Sequence, residues 1–173
     1  ENGRADLAYK LMNQRDFPSY GYLADKKNNT LWETWNGDGN DEGCGHCHPM
    51  FGSVVAWFYH SLAGIKPDQS DPGMKHFYIE PMIVPDLKYC RATYDSQYGK
   101  ISSDWKIDEN GNLNLKIEVP ANTSATVIIP DWGGRTVLES GKPVSEVSNI
   151  VIDKVDSARM KVSSGVYHFV ILK

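Results

Sequence analysis

The densest group of reactive side chains in the sequence is Cys44-Gly45-His46-Cys47-His48. Its C-x-x-C-H spacing is that of a c-type haem attachment site, in which both thiols bond the macrocycle and the histidine becomes an axial ligand. The same five residues can also be read as a zinc site, with two thiolates and one or two imidazoles. Neither reading has support elsewhere in the chain. No second C-x-x-C and no downstream His pair occurs, and Cys90 and His60 stand alone. The plain reading is a pair of free thiols in a loop, with no metal and no cofactor. The other candidate is Glu33, which lies between Trp32 and Trp35. Indole neighbours can stack on a sugar ring, and they can also desolvate a carboxylate and raise its proton affinity. Against this stands a solvated loop glutamate beside core tryptophans. Asp25, Asp38, Asp41 and Glu42 lack the spacing of a calcium loop and read as a solvated acidic stretch.

These residues share one long segment without helical period, Phe17 to Pro49. It holds Pro18, Gly21, Gly37, Gly39, Gly43 and Gly45, together with Tyr20, Tyr22, Trp32 and Trp35. Loops of that length inside a domain are often functional. On either side the sequence predicts helices. Ala5, Ala8, Leu11 and Met12 fit one face of a short helix. Phe51, Val54, Val55, Phe58 and Leu62 fit one face of a longer helix over Met50 to Ala63, stopped by Gly64 with Pro67 beyond it. His48 would stand just before that helix.

After Pro67 the period changes from 3.6 to two. Leu113, Leu115, Ile117 and Val119 alternate with polar residues, as in a strand with one buried face. Glu109-Asn110-Gly111 before it is a hairpin turn. Further strands are expected at 76–84, 88–95, 100–107, 124–129, 136–138, 150–152, 158–162 and 166–172. Many short strands between turns predict an antiparallel sandwich. The expected division is a helical piece over residues 1–65 and a sandwich over 66–173. Two short helices cannot cover the aromatic loop by themselves, so the first piece reads as the end of a larger helical domain.

The chain has 173 residues, with 18 basic and 22 acidic side chains and a net charge of −4. That excludes the positive field that nucleic-acid binding requires. With 40% hydrophobic and 23% charged residues it is an ordinary globular composition rather than a disordered one. The longest apolar run, Val54 to Tyr59, is far short of the ~20 residues of a membrane helix. Three cysteines are too few for a disulfide scaffold. The first residues show neither the n-region nor the h-region of a secretory leader, and cytoplasm, periplasm and exterior all stay open.

Several segments, in order, resemble the bacterial α-L-rhamnosidases of glycoside hydrolase family 78. They are Pro18-Ser19-Tyr20-Gly21-Tyr22, Thr30-Leu31-Trp32-Glu33-Thr34-Trp35, His48-Pro49-Met50-Phe51-Gly52-Ser53-Val54 and Trp57-Phe58-Tyr59 through Leu62-Ala63-Gly64-Ile65. Gly73-Met74-Lys75-His76-Phe77, Ala92-Thr93-Tyr94-Asp95-Ser96, Tyr98 through Trp105 and Val119-Pro120-Ala121-Asn122-Thr123 continue the match. The resemblance implies the short helical remnant of an (α/α)6 catalytic barrel followed by an antiparallel β-sandwich. It implies an inverting glycosidase that removes α-L-rhamnosyl residues, with Glu33 as general base and His48 as a hydrogen-bonding partner of a sugar hydroxyl. Trp32 and Trp35 would lie near the pocket. The family's Asp-Glu-Arg segment, which carries the general acid, has no counterpart here. The implied partners are a rhamnose-containing glycoside and the rest of the barrel, and this chain alone is expected to be inactive. Two features depart from the pattern. Cys47 stands where asparagine is usual, and the stretch between Glu33 and His48 is short. The competing function is a non-catalytic carbohydrate-binding or structural sandwich. Trp105 and Trp132 are too far apart in sequence to suggest an exposed aromatic row.

Overall fold

In the computed structural model, residues 4–26, 30–36, 45–130, 133–153, 155–156 and 158–173 are described. Cys44, Asp38, Asp41, Glu42 and Trp132, named above, lie outside them. The chain divides into two units, Glu1–Phe58 and Tyr59–Lys173. Among the described residues helices are few and short, and strand outweighs helix.

In the first unit, helix α1 covers Ala5–Asn13, as its spacing predicts. Helix α2, Tyr20–Asp25, falls inside the stretch read as non-helical. The cause is local. The Ser19 hydroxyl accepts the Tyr22 N–H at 3.0 Å and caps the helix, and Leu23 is buried beneath it. Gly21 allows the close approach, because a Cβ there would lie 2.5 Å from the Gln14 carbonyl oxygen. The long helix expected over Met50 to Ala63 is broken into α3 (Pro49–Gly52), α4 (Val54–Trp57) and a π-helical turn, Phe58–Leu62. At the first break the Ser53 hydroxyl donates to the Met50 carbonyl at 2.8 Å, in competition with the helix ladder. Of the apolar face, Leu62 is buried and Phe51 packs on Trp35, while Val55 is 49% exposed and Phe58 38%.

The second unit is the expected sandwich. Its strands are β1 (Ile65–Pro67), β2 (His76–Ile79), β3 (Tyr89–Ser96), β4 (Gly99–Ile107), β5 (Leu113–Ile128), β6 (Val137–Glu139), β7 (Lys142–Pro143), β8 (Ile150–Ile152) and β9 (Arg159–Ile171). Two pairs of predicted strands are fused. The stretches 112–119 and 124–129 form the single strand β5, and 158–162 with 166–172 form β9. The two long strands pair along their length and bend together, with Pro120, Ala121, Asn122 and Thr123 facing only Ser164. One half of the β5–β9 ribbon carries β4 and β3 on one side and β6 and β7 on the other. The other half carries β2 and β1 on one side and β8 on the other. All pairings are antiparallel except β2 with β5, which is parallel. Both halves turn their alternate residues into one core. Phe77 and Ile79 join Leu115, Ile117, Trp105 and Phe169 there, all of them essentially inaccessible to water.

The start of this unit is fastened to that core. Trp105 Nε1–H donates to the Leu62 carbonyl at 2.7 Å, and the Ser103 hydroxyl donates to the Ala63 carbonyl at 2.7 Å. Carbonyls at the end of a helical turn lack intrahelical donors, and here buried side chains supply them. Gly64 follows with φ +77°, and a Cβ there would lie 2.2 Å from the Glu80 backbone. Trp105→Phe should therefore lower stability by about 2–4 kcal/mol, since it strands a buried carbonyl and removes apolar contact. The urea midpoint should fall with an unchanged m value. An unchanged midpoint would mean that this bond contributes nothing net.

On the outer face, His76 is held between the Ser124 hydroxyl (2.7 Å to Nδ1) and the Thr126 hydroxyl (3.0 Å to Nε2). Burial, and then the Lys161 ammonium, push its imidazole below the ordinary value of 6.5, while Asp68 and Asp71 act the other way. The folded state thus favours the neutral ring. Its contribution is complete above the unfolded value and is lost as pH falls through that value toward the folded one. Between about pH 7.5 and about pH 5.5 the urea midpoint should drop, and His76→Gln should flatten the drop. Asp68, Asp108 and Asp153 are held low by hydrogen bonds, so their loss belongs to a lower, acidic window. A slope unchanged by His76→Gln would contradict this assignment.

Candidate active site

Residues 30–33 and 45–48 run side by side in the first unit. The His48 N–H donates to the Leu31 carbonyl at 2.8 Å, and the Glu33 N–H donates to the Gly45 carbonyl at 2.9 Å. The Thr30 hydroxyl donates to the His46 carbonyl. The Gly45 N–H returns a bond to Glu33 Oε2 at 2.9 Å. Backbone and side chain of Glu33 are thus both tied to one glycine. Glu33 is exposed, and its Oε1 has no partner among the described residues. One carboxylate oxygen is thus oriented by a backbone amide.

His48 lies near the same glycine. A methyl group placed on Gly45 would sit 3.5 Å from Glu33 Oε2 and 3.7 Å from His48 Cδ2. His48 caps α3, where its Nδ1 accepts the Met50 N–H at 3.2 Å. That role as a helix flank was the plain alternative to a binding role, and the two are compatible. With Nδ1 as acceptor, the neutral ring carries its proton on Nε2, which can donate to a hydroxyl.

The two tryptophans part company. Trp32 stacks on His46, with ring centroids 4.1 Å apart and planes 10° apart. Trp35 packs on Phe51 at 4.2 Å and meets Tyr20 edge-on at 5.3 Å. Tyr20 donates its hydroxyl to the Phe51 carbonyl at 2.9 Å, and burial raises its phenol above the ordinary value. Trp32 therefore belongs to the loop bracket, and Trp35 to the small apolar cluster that joins α2 to α3. Sequence reasoning passed over Gly45 as an anchor and His46 as a stacking partner, because the C-x-x-C-H spacing drew both into a metal or haem reading. Cys47 is exposed with a free thiol. Among the described residues no group of three or more His, Cys, Asp or Glu side chains is arranged around a common metal position.

Residues 1–62 match the family model of the bacterial alpha-L-rhamnosidase 6 hairpin glycosidase domain, and residues 64–143 match that of the bacterial alpha-L-rhamnosidase C-terminal domain. The chain belongs to the bacterial α-L-rhamnosidase family. An alpha-L-rhamnosidase of Streptomyces avermitilis is 37% identical over 136 residues, which are 75% of this chain and 13% of that protein. One from Formosa agariphila is 30% identical over 177 residues, covering 98% of this chain and 19% of that protein. Among solved structures, the alpha-L-rhamnosidase from Dictyoglumus thermophilum superposes with a TM-score of 0.80 at 33% identity, over 97% of this chain and 19% of that one. The Streptomyces avermitilis enzyme complexed with L-rhamnose superposes with a TM-score of 0.78 at 32% identity, over 97% and 16%. The chain thus spans less than a fifth of the curated relatives it matches, and it corresponds to their C-terminal portion.

Proposed function

We propose that this chain is the C-terminal portion of an inverting α-L-rhamnosidase, one that hydrolyses terminal α-L-rhamnosyl residues of glycosides or polysaccharides. In this reading residues 1–65 close the catalytic barrel and residues 66–173 form its companion sandwich. Inverting hydrolysis needs a carboxylic acid at the leaving oxygen and a carboxylate that activates water on the opposite face, about 6.5–9.5 Å away. Glu33 is the base. The observation that carries this role is its exposed carboxylate, fixed through Oε2 by the Gly45 N–H, with no partner for Oε1 among the described residues. His48 lies against the same glycine and donates Nε2–H to a sugar hydroxyl. Trp32 lines the pocket beside them, and Trp35 supports the wall behind. The general acid comes from the remainder of the barrel. That remainder also covers the apolar side chains exposed in the first unit, among them Leu7, Leu11, Phe17 and Met50.

In the complete enzyme, Glu33→Gln keeps size and the Gly45 contact but removes the base. Turnover of an aryl α-L-rhamnoside should fall by about 10²–10⁴-fold while substrate binding persists. A loss confined to KM, or a fall of less than about tenfold, would make Glu33 a substrate-positioning residue and put the base elsewhere.

A further inference from the structure

The sandwich has a groove of its own, of about 310 Å³, on the outer face opposite the core. That lies at the lower end of the range of small-molecule sites, about 300–1,000 Å³. Its floor is a row of side chains on four neighbouring strands. Tyr78 on β2 pairs with Thr126 on β5, Thr126 with Lys161 on β9, and Lys161 with Val151 on β8. Because strand residues alternate between faces, these four necessarily point the same way. His76 stands one pleat along from Tyr78, edge-on to its ring at 5.6 Å. Two carboxylates, Asp68 and Asp153, line the groove from connecting loops, and Arg159 lines it from β9.

The polar groups are placed but not exhausted. Asp68 Oδ1 accepts from the Ser70 N–H and hydroxyl, and Asp153 Oδ1 accepts from the Val155 and Asp156 N–H groups. Each leaves Oδ2 unpaired among the described residues. Lys161 makes no ion pair among the described residues. Arg159 commits Nε to Asp156 at 3.1 Å, and its terminal nitrogens have no partner among the described residues. His76 uses both ring nitrogens on Ser124 and Thr126, so it serves as a fixed wall rather than a donor. The lining carries two carboxylates, one ammonium and one guanidinium, the last also paired with Asp156. An anion would meet the acids, and a cation would meet the bases. A ligand dense in hydroxyls, each both donor and acceptor, can use all of them at once, and its apolar ring face can lie on Tyr78 and Val151.

We propose that this groove is a non-catalytic binding site for a neutral saccharide ring, built entirely from the Tyr59–Lys173 unit. It stands on the sandwich alone and does not require the role assigned to Glu33. The groove is open, so the affinity is weak, with Kd on the order of millimolar. The test is a two-dimensional ¹H–¹⁵N NMR titration of the 173-residue chain with L-rhamnose, D-galactose and D-glucose in turn. D-galacturonate and inorganic phosphate serve as charged probes. At least one neutral sugar should give saturable shifts at Tyr78, Thr126 and Lys161. Tyr78→Ala and Lys161→Gln should each weaken that binding by about fivefold or more. Lys161→Gln keeps the outward stem, so it decides the matter if Tyr78→Ala disturbs the sheet. Three results would overturn the proposal: no saturable shift with any neutral sugar, shifts confined to residues 30–48, or tighter binding of galacturonate or phosphate than of every neutral sugar. Catalysis is not read in this titration, so a failure of the Glu33 assignment would leave its outcome untouched.

Discussion

The pairing of β5 with β9 is the interaction from which the rest of the sandwich hangs. Among the described residues no other strand pairs with both halves of the ribbon, and every remaining strand attaches to one of these two directly or through one neighbour. The pair serves both layers because it bends in the middle. Pro120 has no N–H to give to a ladder, and the ladder is interrupted where it sits. The Thr123 hydroxyl donates to the Pro120 carbonyl at 2.7 Å and satisfies one group that the interruption exposes. Asn122 takes φ +60°, a left-handed conformation that asparagine tolerates better than most residues. Across the bend Gly165 adopts φ +153° with the Tyr167 ring within 3.4 Å of where its Cβ would be. Without that bend, Phe77 and Phe169 could not enter one core, nor could Tyr78, Thr126 and Lys161 form the floor of an outer groove.

The loop unit rests on a smaller constraint of the same kind. A backbone amide that would otherwise need a strand partner finds it in a side chain. Gly45 gives its N–H to Glu33 and takes the Glu33 N–H in return. That exchange orients one carboxylate oxygen, and among the described residues the other has no partner. A general base needs an oriented acceptor that still reaches water. His48, by spending Nδ1 on the helix it caps, is likewise left with a single defined donor. Structural duty and proposed chemistry divide the two ends of each side chain.

What could be read from the sequence follows from how local each signal is. The alternation of Leu113, Leu115, Ile117 and Val119 and the turn at Asn110-Gly111 are set by neighbours two to four residues apart, and both stand in the structure, with Gly111 at φ +82°. The continuity of β5 was not legible, because Pro120 reads as a strand end unless its bulge and partner are known. The helix at Tyr20–Asp25 had a signal in Ser19, but six residues are too few to show a period. The Met50 to Ala63 pattern predicted one helix because periodicity assumes a partner for the apolar face. The described chain leaves Val55 and Met50 exposed, and the segment breaks at Ser53. In the candidate site, Glu33 and His48 are proposals that rest on residue type and resemblance. Gly45, which brings them together, could not be named on either ground, because a glycine's amide bond is invisible in sequence.

The central claim is that Glu33 takes a proton from the water that attacks the anomeric carbon. In the complete enzyme, Glu33→Ala opens a space beside that position and removes the base. Azide, a nucleophile that needs no deprotonation, can then act in place of water. Added azide should restore turnover of an aryl α-L-rhamnoside, and the product should be the β-configured rhamnosyl azide. No rescue, or an α-configured azide, would contradict the account.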